Sequence, residues 1–256
     1  MQPLAVPTTA PAQAQSVLQT QGYVVLSPHA VQVLSGCAVP ALNALNSSWN
    51  DLIPDAYLKD GGRYRRRRHS CFEVQGASVQ QVPHRAHWQP VEYNALNGGM
   101  QRWFEPLAPE TVEQPVWAQL LAWLGAACTE QEGSAQAGNA KASSETKWFV
   151  EAHQFRIDTT DGIGRPTPEG AHRDGVDYVA VFMVGRSGIK GGETRVFESA
   201  GPNGQRFTLT EPWSLLLLDD ERVIHESTPI QPLEAHGHRD TLVVTLRKGG
   251  FQGNLE

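Results

Sequence analysis

No run of about 18 consecutive apolar residues occurs in this 256-residue sequence, so no segment has the character of a transmembrane helix. The first residues, "MQPLAVPTTAPAQAQSV", lack a basic start and a continuous apolar stretch, which excludes a signal peptide and predicts a cytoplasmic protein. Only three cysteines are present, Cys37, Cys71 and Cys128, without paired spacing. That excludes a disulfide framework and a thiolate zinc site, and points to a reducing compartment. Positive charge is also scarce. Lys and Arg number 21 against 27 Asp and Glu, for a net charge of −6. Phosphate neutralisation needs clustered cations in excess, so neither nucleic acid nor a membrane is the expected partner, and a small molecule is favoured.

What the sequence does have is turns. Gly (24) and Pro (17) are frequent, and the length suits one large β-rich domain spanning 1–256. Residues 1–14, rich in Pro, Ala and Gln, read as a disordered tail. Residues 15–131 read as a mainly helical, partly β half. Within it "AQSVLQTQGYVVLSP" is a helix ending at Gly22 and then a strand, "HAVQVLSGCAVPALNALNSSWNDL" keeps a helical rhythm, and "PVWAQLLAWLGAACTEQ" carries a broad apolar stripe. Residues 132–147, free of bulky apolar side chains in "EGSAQAGNAKASSET", read as an exposed loop.

From 148 to 247 seven short β segments follow, "WFVEAHQFRI", "GAHRDGVDYVAVFMV", "GETRVFE", "QRFTLT", "WSLLLLDD", "VIHESTPI" and "RDTLVVTL". No helix long enough for a parallel crossover lies among them, so the sheet is expected to be antiparallel. The predicted class is mainly β with flanking helices (α+β), a jelly-roll or cupin-like barrel with the N-terminal helices packed outside.

The tripeptide His-Arg-Asp occurs twice, at 172–174 and 238–240. On a strand, residues i and i+2 share a face, so His172 and Asp174 would lie side by side. An imidazole and a carboxylate so placed are two parts of a 2-His-1-carboxylate set, which holds non-haem Fe(II) and leaves open positions. His225, 225 − 172 = 53 residues on, is the candidate third ligand. The bland alternative is a solvated His172 and a core His225. In the second tripeptide the middle residue matters: Arg239 and Thr241 share a face and, if inward, place a cation and a hydroxyl where they could grip a carboxylate. Otherwise Arg239 is an exposed edge-strand arginine.

His172-x-Asp174, His225, and Arg239 fourteen residues later with Thr241 resemble the signature of the Fe(II)/2-oxoglutarate-dependent dioxygenases. "PEGAHRDGVDYVAVFMV", "GGETRVFE", "LLLLDDERVIHESTPIQP" and "HRDTLVVTL" more specifically resemble the bacterial subgroup containing L-isoleucine 4-hydroxylase and the biofilm-stress proteins, over roughly residues 50–247. The resemblance implies a double-stranded β-helix with His172, Asp174 and His225 as catalytic iron ligands. Arg239 would bind the distal carboxylate of 2-oxoglutarate, assisted by Thr241. It also implies Fe(II), 2-oxoglutarate and molecular oxygen as cofactors, with succinate and carbon dioxide formed as a substrate is hydroxylated.

"DGGRYRRRRHSCF" at 60–72 remains. Read as a strand, Arg63, Arg65, Arg67 and His69 share one face and Tyr64, Arg66 and Arg68 the other. A fully solvated charged strand is the plain alternative. Because the resembled subgroup hydroxylates free aliphatic amino acids, arginines here, Arg66 and Arg68 foremost, are implied to bind the substrate carboxylate. His153 and Glu193 are further candidate cavity groups. Two competing functions stay open: a metal cupin enzyme that needs no 2-oxoglutarate, and a non-catalytic ligand-binding barrel of a stress response.

Overall fold

The computed structural model describes residues 5–135 and 146–253. In chain order the elements are α1 (Ala14–Gln21), β1 (Tyr23–Leu26), α2 (Pro28–Ser35), α3 (Val39–Asn43), β2 (Ile53–Pro54), β3 (Arg65–Gln75) and β4 (Ser78–Gln81). They continue as α4 (Pro109–Val112), α5 (Pro115–Ala135), β5 (Lys147–Asp158), β6 (Tyr178–Ser187), β7 (Ile189–Gly191), β8 (Thr194–Glu198) and β9 (Gly204–Phe207). The last four are β10 (Leu215–Asp219), β11 (Val223–Ser227), β12 (Ile230–Pro232) and β13 (His238–Arg247). A large sheet runs β1-β10-β6-β13-β5-β3-β2, with β4 paired to β3, a small sheet runs β11-β8-β9, and β12 pairs with β7. Every pairing is antiparallel.

The large sheet is covered on both faces, which explains why β10 reads "LLLL" rather than alternating. Leu215 and Leu217 join a core shared with Trp117, Leu120 and Leu124 of α5. Leu216 and Leu218 turn the other way and meet Val196, Phe207 and Val223 of the small sheet. The same alternation sorts β13. Leu242, Val244 and Leu246 face the helices. Arg239, Thr241, Val243 and Thr245 face a pocket lined from both sheets. Polar side chains on the inner face of an otherwise apolar strand therefore mark the pocket.

Two boundaries differ from the sequence reading. Residues 5–13 are not a loose tail: Val6 packs on the inner core and the Thr9 amide donates to the Val25 carbonyl at 2.8 Å. A β1 edge is available to be covered, and Pro-rich chain can cover it without forming a strand. The expected loop at 132–147 is helical at its start, because α5 runs to Ala135, and Lys147 already belongs to β5. Glu132 anchors that last turn through Tyr178 and Lys248. Residues 136–145 lie outside the described residues. Among the described residues no helix is long and apolar enough to cross a membrane.

Candidate metal centre and its pocket

His225 lies on β11 and His172 in the segment before β6, and the two exchange backbone hydrogen bonds as an isolated antiparallel bridge, 3.0 and 2.9 Å. Directly opposed residues project to one side, which sets the two imidazoles 4.7 Å apart between centroids. His172 and Asp174 thus converge, but not by strand alternation, because β6 begins only at Tyr178. What places Asp174 is Asp220, which is fully buried. Its carboxylate accepts the Asp174, Gly175 and Val176 amides at 3.1, 2.7 and 3.1 Å. Gly175 has φ +76°, and a Cβ there would meet the Tyr93 ring at 2.4 Å, so only glycine fits. Asp220 is thus a buried organiser of this segment, whereas Glu221 beside it is exposed. Asp220→Ala would strip the acceptor from three amides. Loss of at least about 1–3 kcal/mol is expected in denaturant unfolding, together with weaker metal binding.

The ligand atoms of His172, Asp174 and His225 lie within 4.8 Å of one another. The two Asp174 oxygens stand 3.8 Å from His172 Nε2 and His225 Nε2, too far for hydrogen bonds and suited to a shared ion. His172 Nδ1 donates to the Gly170 carbonyl at 2.9 Å, since a carbonyl only accepts, and this leaves the Nε2 lone pair facing the site. Burial, then the nearby His172, pushes His225 down to about 4, so it is neutral and able to ligate. Burial works against a charge on His172, but Asp174 and Glu169 outweigh it and raise its pKa. Two imidazoles and a carboxylate on an open pocket suit non-haem Fe(II).

A second cluster, His69, His87, Glu151 and His153, also gathers its donor atoms within 4.8 Å. Here His69, His87 and Glu151 are hydrogen-bonded to one another and His153 to an arginine. Glu151 Oε2 accepts from His69 Nε2 at 2.8 Å and from His87 Nδ1 at 2.7 Å. His153 Nδ1 takes a hydrogen from Arg67 at 2.7 Å, so its Nε2 carries the proton. Burial alone would raise the Glu151 carboxyl, but His87 and His69 hold it below the usual range. These bonds make the cluster a buried counterion for the arginines beside it.

Arg239 is buried (4% exposed), and its Nε finds no acceptor among the described residues. Its neighbour Asp240 is buried but turned away from the pocket, and pairs with Arg156 at 2.7 Å. Burial, then Arg186, pushes the Arg239 pKa down to about 10, which still leaves a cation at neutral pH. A buried guanidinium with no salt bridge among the described residues, on the same pocket as His172, Asp174 and His225, fits a carboxylate that arrives with a ligand. Pairing register aligns the pocket face in rows: Arg65, Ile157 and Arg239, then Arg67, Phe155 and Thr241, then His69, His153 and Val243.

The register corrects the reading of the arginine run. The inward row is Arg65 and Arg67, both buried, whereas Arg66 and Arg68 face away. Arg68 is tied to the Pro106 and Asp51 carbonyls, and Arg66 lies 3.8 Å from Asp158. Neither lines the pocket, because β3 pairs with β5 in the register that turns odd residues inward. His153 does line it. Glu193 does not: it pairs with Arg195 at 2.8 Å on β8, which leaves it no part in the cavity. Arg102, Gln89 and Glu169 line the pocket and were not anticipated, since they come from irregular segments without a period to read.

A family model described as 2OG-Fe dioxygenase matches residues 46–245, more than half of the chain. The chain matches no curated protein. Among solved structures, a bsmA homologue from Methylobium petroleophilum PM1 is similar at 52% identity and TM-score 0.85, over 97% of both chains. IDO from Bacillus thuringiensis aligns with 94% of this chain and all of its own, at 15% identity and TM-score 0.71. TqaL, an Fe(II)/(alpha)ketoglutarate-dependent dioxygenase, aligns with 96% of this chain and 90% of its own, at 21% identity and TM-score 0.69. The last two show a shared fold. Taken with an open 2-His-1-carboxylate group, the family match settles the class: this chain belongs to the 2OG-Fe dioxygenase family and is a non-haem iron hydroxylase that uses Fe(II), 2-oxoglutarate and molecular oxygen.

Proposed function

We propose that the protein hydroxylates a free aliphatic L-amino acid or a similarly small molecule with one carboxylate, as in the L-isoleucine 4-hydroxylase subgroup. In this reading the fold is a double-stranded β-helix and His172, Asp174 and His225 hold the iron. Arg239 and Thr241 anchor the distal carboxylate of 2-oxoglutarate. Bound there, iron and 2-oxoglutarate supply the oxidising power, and the chain supplies position and exclusion of water.

The observation that carries the substrate class is the charge of the pocket's β3 side. Three buried guanidinium groups, Arg65, Arg67 and Arg102, share two carboxylates, Asp55 and Glu151. The neighbouring His69, His87 and His153 all have lowered pKa values, burial being the main cause, and add no charge at neutral pH. Glu169, which also acts on Arg102, brings the balance to three cations against three anions, so this side suits a zwitterion whose carboxylate meets the arginines and whose ammonium meets Glu169. Phe155, Ile157, Val181 and Val243 offer apolar surface for the rest of the molecule. Glu169, 3.5 Å from His172, is an acid placed to meet an ammonium. Arg239, buried with no salt bridge among the described residues, argues against a cupin that needs no carboxylate co-substrate.

A panel of free L-amino acids incubated with protein, Fe(II), ascorbate and 2-oxoglutarate should yield succinate and a product heavier by one oxygen. Arg67→Leu is expected to raise KM for the amino acid by about tenfold or more, from a lost charge-assisted bond. Arg66→Ala should leave KM close to that of the parent. Turnover of a peptide or nucleobase, and of no free amino acid, would refute the substrate class while leaving the iron group intact.

A further inference from the structure

One buried side chain lies between the iron group and the arginine side of the pocket. Gln89 is 6% exposed, and its amide bonds at both ends. Arg102 Nη2 lies 2.9 Å from one end and Asn94 Nδ2 3.0 Å from the same end. Asp174 Oδ1 lies 2.9 Å from the other. A guanidinium only donates and an ionised carboxylate only accepts, so the neighbours dictate the orientation: Oε1 faces Arg102 and Nε2 faces Asp174. Asn94 is itself fixed the same way round, because its Oδ1 accepts the Asn97 amide at 2.7 Å. The backbone around Gln89 is held as well. His87 and Arg102 exchange backbone bonds at 2.9 Å, and the Gly99 amide donates to the Gln89 carbonyl at 2.8 Å.

We propose that Gln89 is a positioning residue that couples Arg102, on the anion-binding side of the pocket, to the carboxylate of Asp174. The proposal rests on the assignment of Asp174 as an iron ligand and of Arg102 to the substrate subsite. A hydrogen-bonded carboxylate presents its remaining lone pairs in a fixed direction, and partners of this kind are as much a part of a metal site as the ligands. In a buried chain each bond polarises the next, so a change of charge at Arg102 reaches Asp174 through the amide. Linkage makes the effect reciprocal: whatever occupancy of Arg102 does to metal affinity, metal does to anion affinity by the same factor. Sequence reasoning had no means of seeing this, since Gln89, Arg102 and Asp174 come from three irregular segments.

The test needs no substrate. Co(II), used anaerobically in place of iron, reports both affinity and, through its visible absorption bands, the ligand arrangement. Gln89→Leu keeps the volume and removes all three bonds, and is expected to weaken Co(II) binding by about ten- to a hundredfold and to shift the bands. Arg102→Met should weaken it by a smaller factor in the parent and add nothing further in the Gln89→Leu background, since the bond it acts through is already gone. Arg102→Lys, which retains a charged donor, should restore the affinity that Arg102→Met loses, and it provides the comparison if Gln89→Leu does not fold. Unchanged Co(II) affinity in Gln89→Leu, or losses from the two variants that simply multiply, would overturn the coupling. Full affinity in Asp174→Ala would instead overturn the ligand assignment, whatever Gln89→Leu does.

Discussion

Asp174→Ala is expected to bind no metal at concentrations that saturate the parent and to form no succinate from 2-oxoglutarate. Asp174 supplies the only charge among the three proposed ligands, and its two oxygens face both imidazoles at 3.8 Å. Loss of a partner that merely orients a ligand costs about 10–100-fold in metal affinity, so loss of the ligand itself must cost more. The substitution leaves His172 anchored to Gly170 and Asp220 still holding the Gly175 and Val176 amides, so the loop retains its shape. The contrast is with the buried cluster on β3 and β5. Glu151→Gln there removes a counterion and should reduce stability, because Arg67 and Arg102 lose a charge that balances them. It should nonetheless leave one equivalent of Co(II) bound in calorimetry. Retention of metal by Asp174→Ala and loss by Glu151→Gln would show that the two groups have been assigned the wrong way round.

The β half was legible because its strands carry their own record. In β13 the alternation of Leu242, Val244 and Leu246 with Arg239, Thr241 and Val243 separates helix-facing from pocket-facing side chains, and the structure keeps that division. Alternation alone also gave two rows in the arginine run but could not say which row turns inward. That choice is made by pairing: β3 lies against β5 with Arg67 opposite Phe155, and a shift of one residue would have exposed Arg65 and Arg67 instead. His172 and Asp174 were grouped correctly for a reason that does not hold, since no strand runs through them. A backbone bridge to His225 and three amides on Asp220 achieve the same convergence. Such long-range contacts leave no periodic trace, which is also why Gln89 and Arg102 escaped notice. Asp220 alone had a local signal: it follows four consecutive leucines and Asp219 at the end of β10, and a second acid in direct succession to so buried a strand points to an interior role.

Replacement of Arg239 should move affinity and stability in opposite directions. Arg239→Met keeps most of the volume and removes a guanidinium that is 4% exposed, whose Nε has no acceptor among the described residues. In the ligand-free protein this cation is a cost of folding, as its pKa, pushed down to about 10 by burial and by Arg186, indicates. A group whose charged form is disfavoured by the fold weakens the folded state while it stays charged, so an apolar replacement should raise or leave unchanged the melting temperature at neutral pH. The same replacement deprives the distal carboxylate of 2-oxoglutarate of a charge-assisted bond worth about 1.5–3 kcal/mol. That corresponds to about ten- to a hundredfold weaker binding, read by calorimetry on Co(II)-loaded protein. Metal affinity should be retained, because Arg239 lies on the large sheet while His225 lies on the small one and His172 is bridged to it. Thr241→Val, which removes a neutral donor from the next row, should have the same sign and a smaller size. A packing role predicts the reverse pattern for Arg239→Met, with a lower melting temperature and an unchanged 2-oxoglutarate affinity. That outcome would remove Arg239 as the anchor and leave the iron group without an identified partner for its co-substrate.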